Sequence, residues 1–281
     1  MSFAGLRVLS LESRRAKEIE ALILRNGGIP IVAPSVKEQP YEDPSAALRF
    51  IDLLEAGQLE MVICMTGAGL AYLQQLVAPQ MSADRIFAAL RRATIVSRGP
   101  KPAAVLRGLG VPVEVMIPEP NTWKEIIAAI EPRTERRIAV QEYGRPAADL
   151  HEALARLGAS VTPVVLYRWE LPDDLEPLRA AARLLTEREI DVALFTSSIQ
   201  FEHLLDIARG LGLEGEVKAA LAANIVTASI GPVTTATLVA HGIMPDVIPK
   251  HPKMAALIKA ACEMPAVILA QKLQGSRREM R

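Results

Sequence analysis

Cysteine is scarce in this chain of 281 residues: Cys64 lies inside an apolar run and Cys262 in a helical stretch. Two such cysteines support neither a disulfide framework nor a cysteine-rich zinc site, and a reducing cytoplasm is the expected compartment. Charge of one sign is missing too. Thirty-two Lys and Arg stand against thirty-two Asp and Glu, so no whole-protein field draws nucleic acid or an anionic membrane, and both are excluded as expected partners. Arg7 and Glu12 enclose only Val8-Leu9-Ser10-Leu11, which leaves no room for the apolar core of a signal peptide, and the segment reads as a first strand. The stretch 219–240 is free of charged side chains and long enough to cross a bilayer. Asn224, several Thr and Ser, and Gly231-Pro232 break it into helix end, strand, turn and helix.

Sharp catalytic signatures are also lacking. There is no Gly-Lys-Ser or Gly-Lys-Thr phosphate loop. Gly67-Ala68-Gly69 follows a strand as a dinucleotide fingerprint does, but Tyr72 stands in place of the third glycine and no acidic residue closes the following strand. His151, His203, His241 and His251 are scattered without ligand spacing, which supports no metal site. No serine sits in a Gly-x-Ser-x-Gly elbow, and no Cys and His pair reads as a covalent centre. The expected cofactor is none.

What is present is a core. Apolar residues make up 50% of the chain, and short Val-, Ile- and Leu-rich runs alternate with amphipathic helical stretches, the pattern of parallel sheets covered by helices. The fold class is α/β. Leu6 to Leu11 reads as a strand, Ser13 as the cap of a helix carrying Ile19, Leu22 and Ile23, and Asn26-Gly27-Gly28 as its left-handed end, with a parallel strand returning from Ile29 to Ala33. Between Ser35 and Pro44 the texture changes to charged and proline-containing residues, read as a linker or crossing strand. A helix around Leu48, Ile51 and Leu54 follows, with Asp43 as its cap and Pro44 at its first position. Strands are expected at Leu59–Met65, Ala93–Ser97, Val111–Ile117, Arg136–Gln141 and Ser160–Tyr167. A second texture break runs from Arg168 to Leu175, and strands resume at Asp191–Phe195 and Asn224–Ser229.

The chain also repeats itself. Val62-Ile63-Cys64-Met65-Thr66 matches Val192-Ala193-Leu194-Phe195-Thr196 at an offset of 130, and Ser97-Arg98-Gly99-Pro100 matches Ser229-Ile230-Gly231-Pro232 at an offset of 132. Two related halves follow. Each repeated turn sets Gly, Ser or Thr between a strand end and a helix start, where open α/β sheets bind ligands and unpaired main-chain N–H groups meet the positive end of the helix dipole. The candidates are Thr66-Gly67-Ala68-Gly69, Ser97-Arg98-Gly99-Pro100-Lys101, Glu142-Tyr143-Gly144-Arg145, Thr196-Ser197-Ser198 and Gly231-Pro232-Val233-Thr234. Any one of them is explained as well by capping and tight turns. Five together, with Arg98, Lys101 and Arg145 in two of them, point to an anion bound by loops of both halves. Arg14 and Arg15 at the first helix start join them or form a solvated face. Tyr143, beside Gly144, and Tyr167, at the end of an apolar strand, each offer a phenol to a ligand or to the packing.

These segments, in their order and over nearly the whole chain, resemble uroporphyrinogen-III synthase. The residues that carry the likeness are Val62 to Gly67, Arg98 to Lys101, Val140 to Pro146, Val165 to Arg168, Leu194 to Ile199 and Ile230 to Ala236. The resemblance implies two flavodoxin-like domains joined by a two-stranded linker, residues 1–34 with 172–281 forming the first and residues 38–167 the second, inserted in it. It implies a cofactor-independent lyase that cyclises hydroxymethylbilane with loss of water and inversion of ring D. By position Tyr167 matches the tyrosine that assists departure of the hydroxyl group. Thr66, Gly67, Arg98, Gly99, Lys101, Tyr143, Gly144, Arg145, Thr196, Ser197, Ser198, Gly231, Val233, Thr234 and Arg14 are the expected substrate-binding positions. Gly67 stands where many relatives carry serine, so a main-chain contact is expected there. The expected partners are this small-molecule substrate and, in passing, the enzyme of the preceding step; the expected state is a cytoplasmic monomer. The competing reading is a non-catalytic two-domain sensor or regulatory module that binds an anionic small molecule or tetrapyrrole without transforming it.

Overall fold

The structure is a computed structural model that describes residues 2–144, 146–263, 268 and 270–272. The chain divides into two compact units, one from Met1–Lys37 with Leu171–Arg281 and one from Glu38–Glu170. Along the chain the elements run β1 (Arg7–Ser10), α1 (Ala16–Arg25), β2 (Ile29–Val32) and β3 (Lys37–Pro40). Then come α2 (Ser45–Glu55), β4 (Met61–Cys64), α3 (Gly67–Val77), α4 (Ala83–Leu90), β5 (Thr94–Ser97), α5 (Pro100–Gly108), β6 (Val115–Met116) and α6 (Trp123–Ile130). They continue with β7 (Arg137–Gln141), α7 (Ala148–Arg156), β8 (Ser160–Val164) and β9 (Tyr167–Glu170). The last stretch holds α8 (Glu176–Thr186), β10 (Val192–Phe195), α9 (Ser198–Gly210), α10 (Glu214–Ala223), β11 (Val226–Ser229), α11 (Pro232–Ala240) and α12 (Met254–Glu263).

The fold is α/β with two parallel sheets. In the unit that holds both ends of the chain the strand order is β11-β10-β1-β2, and in the inserted unit it is β6-β5-β4-β7-β8. Numbered along its own chain, the first sheet reads 4-3-1-2, the flavodoxin order from its fourth strand. The inserted sheet has the same spatial plan with the chain order circularly shifted, so that β4, β5, β7 and β8 stand where β10, β11, β1 and β2 stand. The match extends to single bonds. Val96 pairs with Val115 in one sheet, and at the same offset of 132 Ala228 bridges Val247 in the other. Glu114 Oε2 accepts the N–H of Ile95, as Asp246 Oδ2 accepts that of Thr227, both at 2.7 Å.

Both faces of each sheet are covered, which is why β4 (Met-Val-Ile-Cys) and β10 (Val-Ala-Leu-Phe) are apolar without alternation. Val62 and Cys64 enter one core layer with α2 and α3, and Met61 and Ile63 enter the other with α6 and α7. Burial of Cys64 pushes its thiol up to about 12. The charge-free stretch 219–240 divides into the end of α10, β11 and α11, and among the described residues no helix is long and apolar enough to cross a membrane.

Several expectations need correction. Ser13 does not cap α1; its hydroxyl accepts the N–H groups of Ser35 and Val36 at 3.1 and 2.9 Å, because the chain leaving β2 brings donors closer than the helix start does. The strand expected at Val111–Ile117 narrows to Val115–Met116. The run Ser160–Tyr167 ends as a strand at Val164, and Tyr167 opens β9 instead of closing the previous strand. No correction is needed at the two texture breaks, where the expected crossing strands occur: β3 and β9 pair as a separate two-stranded sheet.

Candidate functional site

Thr66, separated from β4 by Met65 alone, caps α3, its Oγ1 accepting the N–H of Gly69 at 3.0 Å. That hydroxyl also lies 3.2 Å from the Tyr167 hydroxyl. Tyr167 is 1% exposed and packs in the core of the inserted unit, its ring centroid 5.2 Å from that of Tyr72. Two site residues expected from opposite ends of the unit are therefore joined by one hydrogen bond.

The next loop is set by β5. Ser97 Oγ donates to the Gly99 carbonyl at 2.9 Å, and the Arg98 N–H donates to the Cys64 carbonyl at 3.1 Å. The Arg98 side chain turns inward. Its Nε donates to the Asn121 carbonyl at 2.9 Å and its guanidinium lies 5.2 Å from the Tyr143 ring centroid. Burial holds its pKa below the ordinary arginine value, against the opposing influence of Tyr143 and Tyr167 nearby. Lys101, the second residue of α5, is exposed. Gly67 is hemmed in: a Cβ there would meet Val105 Cγ2 at 3.0 Å and the Lys101 carbonyl at 3.3 Å, so a larger residue requires that α5 give way.

After β7 the chain makes the Tyr143-Gly144 turn. Gly144 has φ +64°, and a Cβ would fall 2.5 Å from Trp169 Cδ2, so the position needs glycine on both counts. Tyr143 and Trp169 meet at 5.7 Å between ring centroids. Beneath the turn, Glu142 is buried, with Oε2 accepting the Ala147 N–H and Oε1 2.8 Å from His151 Nε2. Burial raises the Glu142 pKa, and His151 offsets part of that shift. Arg145 lies outside the described residues, as does the tail beyond Lys272.

In the other unit, Thr196 follows β10 as Thr66 follows β4. Its N–H donates to Gln200 Oε1 at 2.8 Å, its Oγ1 accepts from Gln200 Nε2 at 2.7 Å, and its proton goes to Glu12 Oε2 at 2.5 Å. Ser197 donates its N–H to the same Gln200 oxygen at 3.3 Å, and Ser198 is buried as the first residue of α9. Ser229 Oγ donates to the Gly231 carbonyl at 3.2 Å, repeating Ser97 and Gly99. Thr234 is buried, whereas Val233 is 40% exposed and Arg14 is exposed before α1.

A family model described as uroporphyrinogen-III synthase HemD matches residues 17–259. The chain belongs to the uroporphyrinogen-III synthase family. A Bacillus subtilis (strain 168) protein, "Uncharacterized protein YjjA", is 30% identical over 256 residues, which cover 90% of this chain and 94% of that one. Among solved structures, a mutant uroporphyrinogen III synthase from the extremely thermophilic bacterium Thermus thermophilus aligns over 96% of this chain and 100% of its own, with a TM-score of 0.71 and 23% identity. The Helicobacter pylori 26695 uroporphyrinogen-III synthetase aligns over 92% and 99%, with a TM-score of 0.54 and 15% identity. At these identities the likeness is one of fold.

For a uroporphyrinogen-III synthase family member, the residues that sequence reasoning missed are the ones that hold the turns. Gln141, Gln200 and Glu12 are not in the loops' Gly, Ser and Thr pattern, yet each bonds directly to a strand-end threonine. One signal was available: Gln141 is the only polar side chain in Ile138-Ala139-Val140-Gln141, an otherwise apolar strand end.

Proposed function

We propose that this chain is a uroporphyrinogen-III synthase, converting hydroxymethylbilane to uroporphyrinogen III. The observation that carries the reading is the Tyr167 hydroxyl, 3.2 Å from Thr66 Oγ1 at the head of α3, in a chain matched to this family along residues 17–259. The substrate bears an acetate and a propionate on each pyrrole ring. Main-chain N–H groups at the starts of α3, α5, α7, α9 and α11 and the Arg98 guanidinium are suited to such carboxylates. Thr66, Gly67, Arg98, Gly99, Tyr143, Gly144, Thr196, Ser197, Ser198, Gly231 and Thr234 are assigned to binding, with Lys101, Arg145, Val233 and Arg14 around them.

Tyr167 is assigned the proton that goes to the departing hydroxyl group, which leaves as water; the pyrrole N–H proton released as the azafulvene forms replaces the one the phenol gave up. Because the phenol is buried, binding has to open a path to its oxygen. The substituted carbon of ring D then attacks the azafulvene, and the spiro intermediate rearranges so that ring D is inverted. Electrons come from the pyrroles themselves. Spontaneous closure gives the uninverted isomer I, so holding the chain in the folded conformer is the larger share of the catalysis.

The test is to supply hydroxymethylbilane to the purified protein and separate the uroporphyrinogen isomers. Isomer III is expected, at a rate above the spontaneous closure. Isomer I alone, at the spontaneous rate, overturns the reading and leaves the non-catalytic sensor of an anionic ligand in its place.

A further inference from the structure

A hydroxyl group has one proton to give and two lone pairs to receive. At Thr66 both lone pairs are taken. The Gly69 N–H donates to Oγ1 at 3.0 Å, and Gln141 Nε2 donates to it at 3.4 Å. The Gln141 amide has one orientation, because its Oε1 accepts the Thr66 N–H at 3.0 Å and its Nε2 also meets the Glu142 carbonyl. The Thr66 proton is then left for the Tyr167 oxygen. We propose that Gln141 is a positioning residue that fixes the direction of the Thr66–Tyr167 hydrogen bond, so that Thr66 donates and Tyr167 retains its own proton for transfer. The last step rests on the synthase reading; the bond direction does not.

Two independent features support a built arrangement. Gln141 is 2% exposed and occupies space that only Gly69 leaves open: a Cβ at Gly69 would lie 1.9 Å from its Nε2. The other unit makes the same clamp with a glutamine from a different position. Gln200 holds the Thr196 N–H with its oxygen and the Thr196 hydroxyl with its nitrogen, and the Thr196 proton passes on to Glu12, an acceptor when ionised. At the repeat offset of 130, Gln200 corresponds to Leu70 and Gln141 to Leu11. The same two glutamine contacts therefore arise from non-equivalent residues, while the onward partner is a carboxylate in one unit and a phenol in the other, and only Thr66 is also given the N–H of its own helix start.

The test reads the phenol directly in the ligand-free protein. The tyrosine Fermi doublet in the Raman spectrum separates a phenol that accepts a hydrogen bond from one that only donates, and subtracting the spectrum of Tyr167→Phe isolates Tyr167. An acceptor signature is expected in the wild type and in Thr66→Ser. It should be lost in Thr66→Val, Gln141→Met and Gln141→Glu, the last pair guarding against one variant that fails to fold. With hydroxymethylbilane, Gln141→Met should lower kcat by about tenfold with KM within about twofold, and adding Thr66→Val should cause no further loss, as for groups that act as one unit. An unchanged doublet in the folded Gln141 variants, or additive losses, overturns the proposal. Isomer I alone from a wild type whose doublet depends on Gln141 overturns the synthase reading and leaves the positioning role standing.

Discussion

Glu60 and Arg137 are joined twice, the Arg137 N–H donating to Glu60 Oε2 at 3.0 Å and its guanidinium to Oε1 at 2.9 Å, while the Arg136 N–H reaches the same Oε2 at 2.8 Å. Asp191 and Arg7 repeat the bond in the other unit, with the Arg7 N–H 2.7 Å from Asp191 Oδ2. In both, an acid just before the central strand ties down the first residue of its neighbour, at the end of the sheet opposite the candidate turns. The two main-chain donors, with the Arg137 guanidinium, draw the Glu60 carboxyl from its ordinary 4.5 to about 2. A depressed carboxyl contributes stability at pH above 4.5, and that contribution fades as pH falls toward about 2. Glu60→Gln should therefore melt lower than wild type at neutral pH and approach it near pH 2. Parallel melting curves from neutral pH to pH 2 would show that this pair contributes nothing.

Tyr167→Phe keeps the ring against Tyr72 and deletes one hydroxyl. A single hydrogen bond contributes about 1 kcal/mol, so the melting temperature should fall by only a few degrees. The turnover number should fall by about a hundredfold or more, the range for removing a general acid. Steady-state kinetics beside a thermal melt checks both. Wild-type turnover would confine Tyr167 to packing.

Arg98 is a half-buried cation whose partners are the Asn121 carbonyl and the Tyr143 ring, and among the described residues no carboxylate is bonded to it. Burial of an unpaired charge is unfavourable, which fits a site that waits for an anion. Arg98→Gln should raise KM by about tenfold or more while the melting temperature stays within about 4 °C, the shift expected for about 1 kcal/mol. Product affinity of the wild type should also fall as salt rises, since carboxylates meet a positive group. Equilibrium binding of uroporphyrinogen III across a salt series measures this; a flat response would assign the affinity to main-chain donors.

Much of the fold was legible because buried parallel strands announce themselves. Met61–Cys64 and Val192–Phe195 are apolar throughout, and the turns after them repeat at a fixed offset. Strands without that signal were legible only as breaks in texture, with their bounds and pairing unread. Lys37–Pro40 and Tyr167–Glu170 are polar or mixed and pair only with each other, so they read as breaks in texture. Ser13 looked like a cap because the local rule cannot see Ser35 arriving from beyond β2. In the candidate site the turn residues were legible from their type, whereas Gln141, Gln200 and Glu12 were not. A single buried polar side chain has no periodicity, and its role depends on which threonine the fold brings to it.

Gly69 offers the sharpest separation of helix propensity from site geometry. Inside a helix, glycine to alanine ordinarily stabilises by about 0.5–1 kcal/mol. Gly108, the last residue of α5, has open space around its missing Cβ, so Gly108→Ala should raise stability, by at most that amount at a helix end. At Gly69 the new methyl would lie 1.9 Å from Gln141 Nε2 and 2.3 Å from its Cδ, forcing the buried amide off Thr66. Gly69→Ala should then lower stability by about 1–3 kcal/mol, as overpacking does, and lower turnover as Gln141→Met does. Chemical denaturation of the two variants beside wild type measures both signs. A stabilised Gly69→Ala with full turnover would mean that the amide moves aside at no cost, and the glycine would then mark only a helix start.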